Sequence, residues 1–177
     1  MLFARVFRAA MLDQRLYEQL RQDPIAYVQG IAVVLLAVIA TIVGAGLESQ
    51  VSGSKTFGSA VGQGLGIMPG LWMLQAGSAF VLGIMGVPAE QRKQVSGHLL
   101  GAIGFSAAPG IFLVLIFVPG AGQAIGPLVI FWMLIATIVA VRASLSFSFY
   151  RAILVVVPGF LLRILVVALV TGPPSET

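Results

Sequence analysis

Arg163 is the residue whose surroundings demand most explanation. It stands inside a run of apolar residues, 152–170, that carries no other charge. A cation at the centre of a membrane span costs about +2.5 to +3.5 kcal/mol on an insertion scale, so it needs a partner or a route to water. No carboxylate lies inside any apolar run of this chain. The nearest plausible partners are Glu48, at the outer end of the first run, and carbonyls freed by Pro109 and Pro158. Two chemistries suit such a group. It binds an anionic headgroup or the acid of a partner subunit, or it snorkels and braces the outer half of a bundle.

Other residues with chemical potential resolve into less. His98 is the single histidine and there is no cysteine, so neither a zinc site nor a thiolate site can be assembled. Histidine titrates near neutrality, but a lone one at the end of an apolar run serves as a polar anchor. The glycine-rich runs lack a following Lys-Ser/Thr and precede no dinucleotide-binding unit, so they do not support nucleotide binding. Glu48 and Glu90 fall at opposite ends of the predicted spans and cannot act as a paired acid and base. The reading is therefore a non-enzyme with no cofactor and no metal site. Pro109 and Pro158 are candidate kinks, either hinges of a transport cycle or fixed bends for packing. Gly62, Gly66 and Gly70, each four residues apart, share one helix face and admit a close neighbour, within the chain or in a second copy.

The elements that must position these groups are membrane helices. Of 177 residues, 59% are hydrophobic and 9% charged, against roughly 25% charged in an average soluble domain. Mean hydropathy is +1.05. The expected fold is an all-α membrane protein, a bundle of five transmembrane helices with an amphipathic N-terminal cytoplasmic helix. Residues 1–22 form a basic arm and 23–171 the membrane domain, with spans at about 25–47, 61–87, 99–118, 123–141 and 152–170, and a tail at 172–177. The third span is uncharged and twenty residues long, with Ala107-Ala108-Pro109-Gly110 at its middle. A membrane keeps such a break where neighbouring helices satisfy the freed carbonyls, so a kinked central helix is expected. The segments 48–58 and 88–93 read as loops.

In the arm, Arg5, Arg8, Arg15 and Arg21 alternate with Phe3, Val6, Phe7, Ala10, Leu16, Tyr17 and Leu20. One face is greasy and the other basic, which suits a lipid interface or a seat on protein. Asp13 is placed to cap a short helix through Leu20, and Asp23-Pro24 to open the first span. Asp13, Glu18 and Asp23 separate the arginines from the first long apolar run, unlike a signal peptide. The net charge of +4 points to anionic lipid rather than nucleic acid. With the N-terminus inside, every base except Lys55 and Arg163 falls in an inside segment. That asymmetry predicts a cytoplasmic N-terminus and an outside C-terminus.

Several motifs add a resemblance. Leu12-Asp13, Tyr17-Glu18 and Asp23-Pro24 before the first span are similar to the entry of the bacterial branch of the Yip membrane proteins. Gly104-Phe105-Ser106-Ala107-Ala108-Pro109-Gly110 resembles the motif of that family's third helix. Arg142 with Leu145-Ser146-Phe147, then Arg151-Ala152, resembles its loop before the last helix. The eukaryotic relatives, the Ypt/Rab-interacting proteins, have five spans, a cytosolic N-terminus and a role in vesicle traffic. This chain differs in the short segment before its first span. The resemblance implies a non-enzymatic scaffold in a bacterial inner membrane, organising membrane lipids or partner proteins, with a homo-oligomer as one form of partner. Two other readings stay open: an accessory subunit of a larger membrane complex, and a small transporter or channel.

Overall fold

The computed structural model describes the backbone of residues 2–53 and 57–171, and the side chains of these except residues 57, 59–69, 170 and 171. All of its regular structure is helical: α1 (Leu2–Ala10), α2 (Gln14–Leu20), α3 (Ala26–Ser52), α4 (Phe57–Met85), α5 (Ala89–Phe105), a 3₁₀ segment (Ala108–Phe117), α6 (Gly122–Leu145) and α7 (Phe149–Thr171). Four stretches among the described residues are long and apolar enough to cross a membrane: α3, α5 with the 3₁₀ segment, α6, and α7 to Leu169. The fully described part of α4, Gly70–Met85, is a shorter apolar helix. Leu35, Ile39, Phe131, Leu154, Leu161 and Leu169 are exposed on the outside of the bundle. So much apolar surface is the mark of contact with lipid rather than water. The chain is an integral membrane protein.

Element boundaries follow caps and backbone conformation more than charge. Asp13 caps α2, its carboxylate accepting from the Arg15 amide at 3.0 Å. Asp23 accepts from the Ile25 amide, and α3 starts at Ala26. The segment expected as a loop from 48 is helical as far as Ser52. Glu48, Ser49 and Gln50 prolong α3 until Gly53 takes a left-handed conformation at φ +65° and ends it. The charged stretch 90–93 is likewise the opening of α5, not a loop. Pro88 stands at its N-cap and Glu90 in its first turn, where a carboxylate favours the helix dipole. Arg142 belongs to the last turn of α6, whose end is set by left-handed Ser146.

The expected kink in the third span is a change of helix type. Pro109 has no amide proton for the Phe105 carbonyl, and the α-helix stops at Phe105. The chain continues as a ten-residue 3₁₀ helix, far beyond the usual three or four residues. Its Gly110 amide donates to the Ala107 carbonyl at 2.8 Å. Neighbours hold it in that form. Phe112 stacks on Trp132 of α6, with ring centroids 5.5 Å apart. Gly44 of α3 lies against the backbone of Leu113 and Val114 so closely that an added Cβ would collide with the Leu113 carbonyl.

Packing elsewhere also relies on missing side chains. Gly30 of α3 crosses Gly101 and Gly104 of α5, and a Cβ on Gly104 would come within 2.6 Å of the Gly30 Cα. The two backbones touch. Gly159 of α7 leaves the space that the Ser78 hydroxyl of α4 fills. Such contacts replace the hydrophobic drive that lipid removes between membrane helices. The arm is packed on the bundle through α2: Leu16, Tyr17 and Leu20 are fully buried with Ala26, Ala102, Phe105, Ala140 and Ala143.

Candidate functional site

The site grows from the antiparallel contact of α4 and α7. Gly159 and Arg163 are one turn apart on α7, as are Ser78 and Gln75 on α4. Where Gly159 lets the helices touch at Ser78, the next turn brings Arg163 to Gln75. The Arg163 Nη1 donates to the Gln75 Oε1 at 3.0 Å. Both are buried, Arg163 at 9% and Gln75 at 4% exposure. Arg163 is the one charged residue buried among the described residues.

Arg163 also borders a cavity of about 40 Å³ with Thr41, Trp72, Ala107, Gly110 and Met133. A polar space of this size has room for water. The Thr41 hydroxyl donates to the Ala37 carbonyl at 2.8 Å and keeps lone pairs for a further donor. A second buried polar pair closes the helix break nearby. The hydroxyls of Ser106 and Thr137 lie 3.0 Å apart, each within reach of a carbonyl of its own helix, Ile103 and Met133.

Glu48 is not the arginine's partner. It is exposed and lines an open cavity with Ser52, Pro119 and Gln123. A neutral amide 88 residues away in sequence does the work expected of an acid. Pro158 is accommodated within α7, and Pro109 sits in the first turn of the 3₁₀ segment. Of the glycines expected to pack, Gly70 faces open space, and the surroundings of Gly62 and Gly66 lie outside the described residues. Among the described residues, close approaches between helices are made by Gly30, Gly44, Gly101, Gly104 and Gly159. The pairing of Gly101 with Gly104, and of Gly159 with Arg163 one turn on, was the signal available in the sequence.

The bases of the arm are largely spoken for. Arg5 donates to Asp23 and to the Gln29 Oε1 at 2.7 Å. Arg8 pairs with Asp13 at 2.7 Å and reaches the Gln19 Oε1 at 3.1 Å. Arg21 donates to the Ser146 Oγ at 3.0 Å, and Arg15 is exposed. The hydrogen bond from Arg8 holds the Asp13 carboxyl below its usual range, and that from Arg5 does the same for Asp23. Burial pushes the Tyr17 phenol up. Opposite these ion pairs, Phe3 and Phe7 of α1 and Met11 just beyond it are exposed.

The fold and this interior define an all-helical integral membrane protein with a buried arginine–glutamine contact. No family model, curated protein or solved structure matches the chain.

Proposed function

We propose that the protein is a non-enzymatic, Yip-like membrane scaffold with five spans, its basic end in the bacterial cytoplasm, organising membrane lipids or partner proteins there. The observation that carries this reading is the construction of that end. The arm is knitted to the end of α6 by Arg21–Ser146 and to the second halves of α5 and α6 by the Leu16, Tyr17 and Leu20 seat. Arg151 ties the start of α7 to the Gly86 carbonyl at 2.6 Å and lies over the Phe147 ring. The result is a shaped basic platform rather than a loose tail. α4 supplies the fifth span in this reading. Phe3, Phe7 and Met11 enter the lipid interface, while Arg5 and Arg8 spend their charge on Asp23 and Asp13, leaving Arg15, Arg92, Lys93 and Arg142 for anionic headgroups.

The test is purification of the tagged full chain in mild detergent, followed by native mass spectrometry. A scaffold gives the 18.5 kDa chain or a small multiple, with retained anionic lipid and several substoichiometric proteins. One stoichiometric heavy companion makes the chain an accessory subunit. Dissipation of a solute gradient by the bare chain in liposomes makes it a transporter. Either of the last two results overturns the scaffold.

A further inference from the structure

At the basic end, α2 lies across α5 and α6 and leaves a half-open cavity of about 500 Å³ lined by Glu18, Arg21, Gln91, Gln94, His98 and Ser144. That is the size of a small-molecule site. Ser144 supplies the sharpest observation. Elsewhere in the helices, the hydroxyls of Thr41, Ser49, Ser78, Ser96, Ser106 and Thr137 bond back to a carbonyl three or four residues earlier. This is the ordinary habit of serine and threonine in a helix. Ser144, 2% exposed, breaks it: its Oγ has no hydrogen-bond partner among the described residues. That Oγ is closed off from the cavity Ser144 lines, and a turn of its side chain brings this unpaired donor and acceptor to a ligand there.

The charges around it narrow the ligand. Glu18 and Arg21 give the cavity one charge of each sign. One oxygen of Glu18 accepts from Gln14 at 3.1 Å, which leaves the other free to receive a cation. Arg21 spends one nitrogen on Ser146 and keeps further donors in its fork. His98 and the amides of Gln91 and Gln94 add further hydrogen-bonding groups. A pure anion would leave Glu18 unmatched, and a pure cation would leave Arg21 so.

We propose that this cavity binds a small zwitterion of the aminoethyl phosphate type. Its ammonium sits at Glu18, and its phosphate oxygens at Arg21 and the Ser144 hydroxyl. Such a group comes either as the headgroup of a phospholipid or as a free phosphate ester. The site stands whether or not the protein is a scaffold.

The experiment is native mass spectrometry and thermal shift on the full chain in mild detergent. The probes are short-chain phosphatidylethanolamine, phosphatidylglycerol with the same chains, and free phosphoethanolamine. Saturable binding of one ethanolamine headgroup per chain is expected, weakened at least tenfold by Arg21→Gln and by Ser144→Ala. Glu18→Gln should erase the preference for phosphatidylethanolamine over phosphatidylglycerol. Without ligand, Ser144→Ala should raise the melting temperature, because it removes an orphan hydroxyl; lost binding is then not lost folding. Binding of the lipid but not of the free ester assigns the site to headgroups, and binding of both assigns it to soluble zwitterions as well. Equal binding of the two lipids by the unaltered chain, indifference to all three substitutions, or no binding overturns the proposal.

Discussion

At the scale of the residue, Arg163 shows how a buried cation is kept with no acid beside it. A hydrogen bond to a charged group contributes about 1.5–3 kcal/mol, and the Gln75 amide is the acceptor in place. Gln75→Leu should therefore lower stability by about 2 kcal/mol, read as detergent-melting temperature. Arg163→Met and Gln75→Leu together should cost clearly less than the sum of the two. Arg163 with Glu48→Gln should be additive; coupling there and none with Gln75 would contradict the contact. The cation was legible in the sequence because a charge in an apolar run announces itself. Its partner was not, because a neutral amide 88 residues away carries no mark of which helix face it shares. Ser144 was equally hidden: that a hydroxyl lacks a partner is a property of its neighbours.

At the scale of the element, four of the five expected spans were legible as charge-free runs and their ends were not. Helices in this chain outrun their apolar cores, so Glu48, Glu90 and Arg142 all lie inside helices although they read as loop residues. The spacing of glycines was visible too, but spacing on one helix does not reveal which face meets a neighbour. That contrast is measurable. Gly104→Ala forces a Cβ onto the Gly30 backbone and should cost about 1–3 kcal/mol, the usual range for overpacking. Gly70→Ala meets open space and should be neutral or stabilising by up to about 1 kcal/mol through helix propensity. Equal losses at the two positions would contradict the α3–α5 crossing. The arm makes a pH prediction. Asp13 and Asp23 have carboxyls depressed by Arg8 and Arg5, so their contribution to docking is complete above about pH 4. It is lost as pH falls through their lower folded values. A spin label on Met11→Cys should become more mobile below about pH 4. Mobility that stays level until both carboxyls are protonated would show that the ion pairs do not hold the arm.

At the scale of the whole molecule, the charge asymmetry read from the sequence becomes a physical end. The arm, the opening of α5 and the turn between α6 and α7 gather there, while Glu48, Ser52 and Gln123 gather at the other end. The chain has no native cysteine, so single cysteines report the sidedness directly. An impermeant maleimide should label Gln123→Cys in right-side-out vesicles and Ser148→Cys only in inside-out ones; the reverse pattern would invert the orientation. The seat of the arm also sets an order of events in time. Arg21 and Ser146 are 125 residues apart, and the residues that bury Leu16, Tyr17 and Leu20 include Ala140 and Ala143. At a synthesis rate of about 5–20 residues per second, the first helices emerge roughly 6–25 s before their seat exists. For that interval a newborn chain presents a bare greasy helix pair at the ribosome, open to any factor that reads nascent segments.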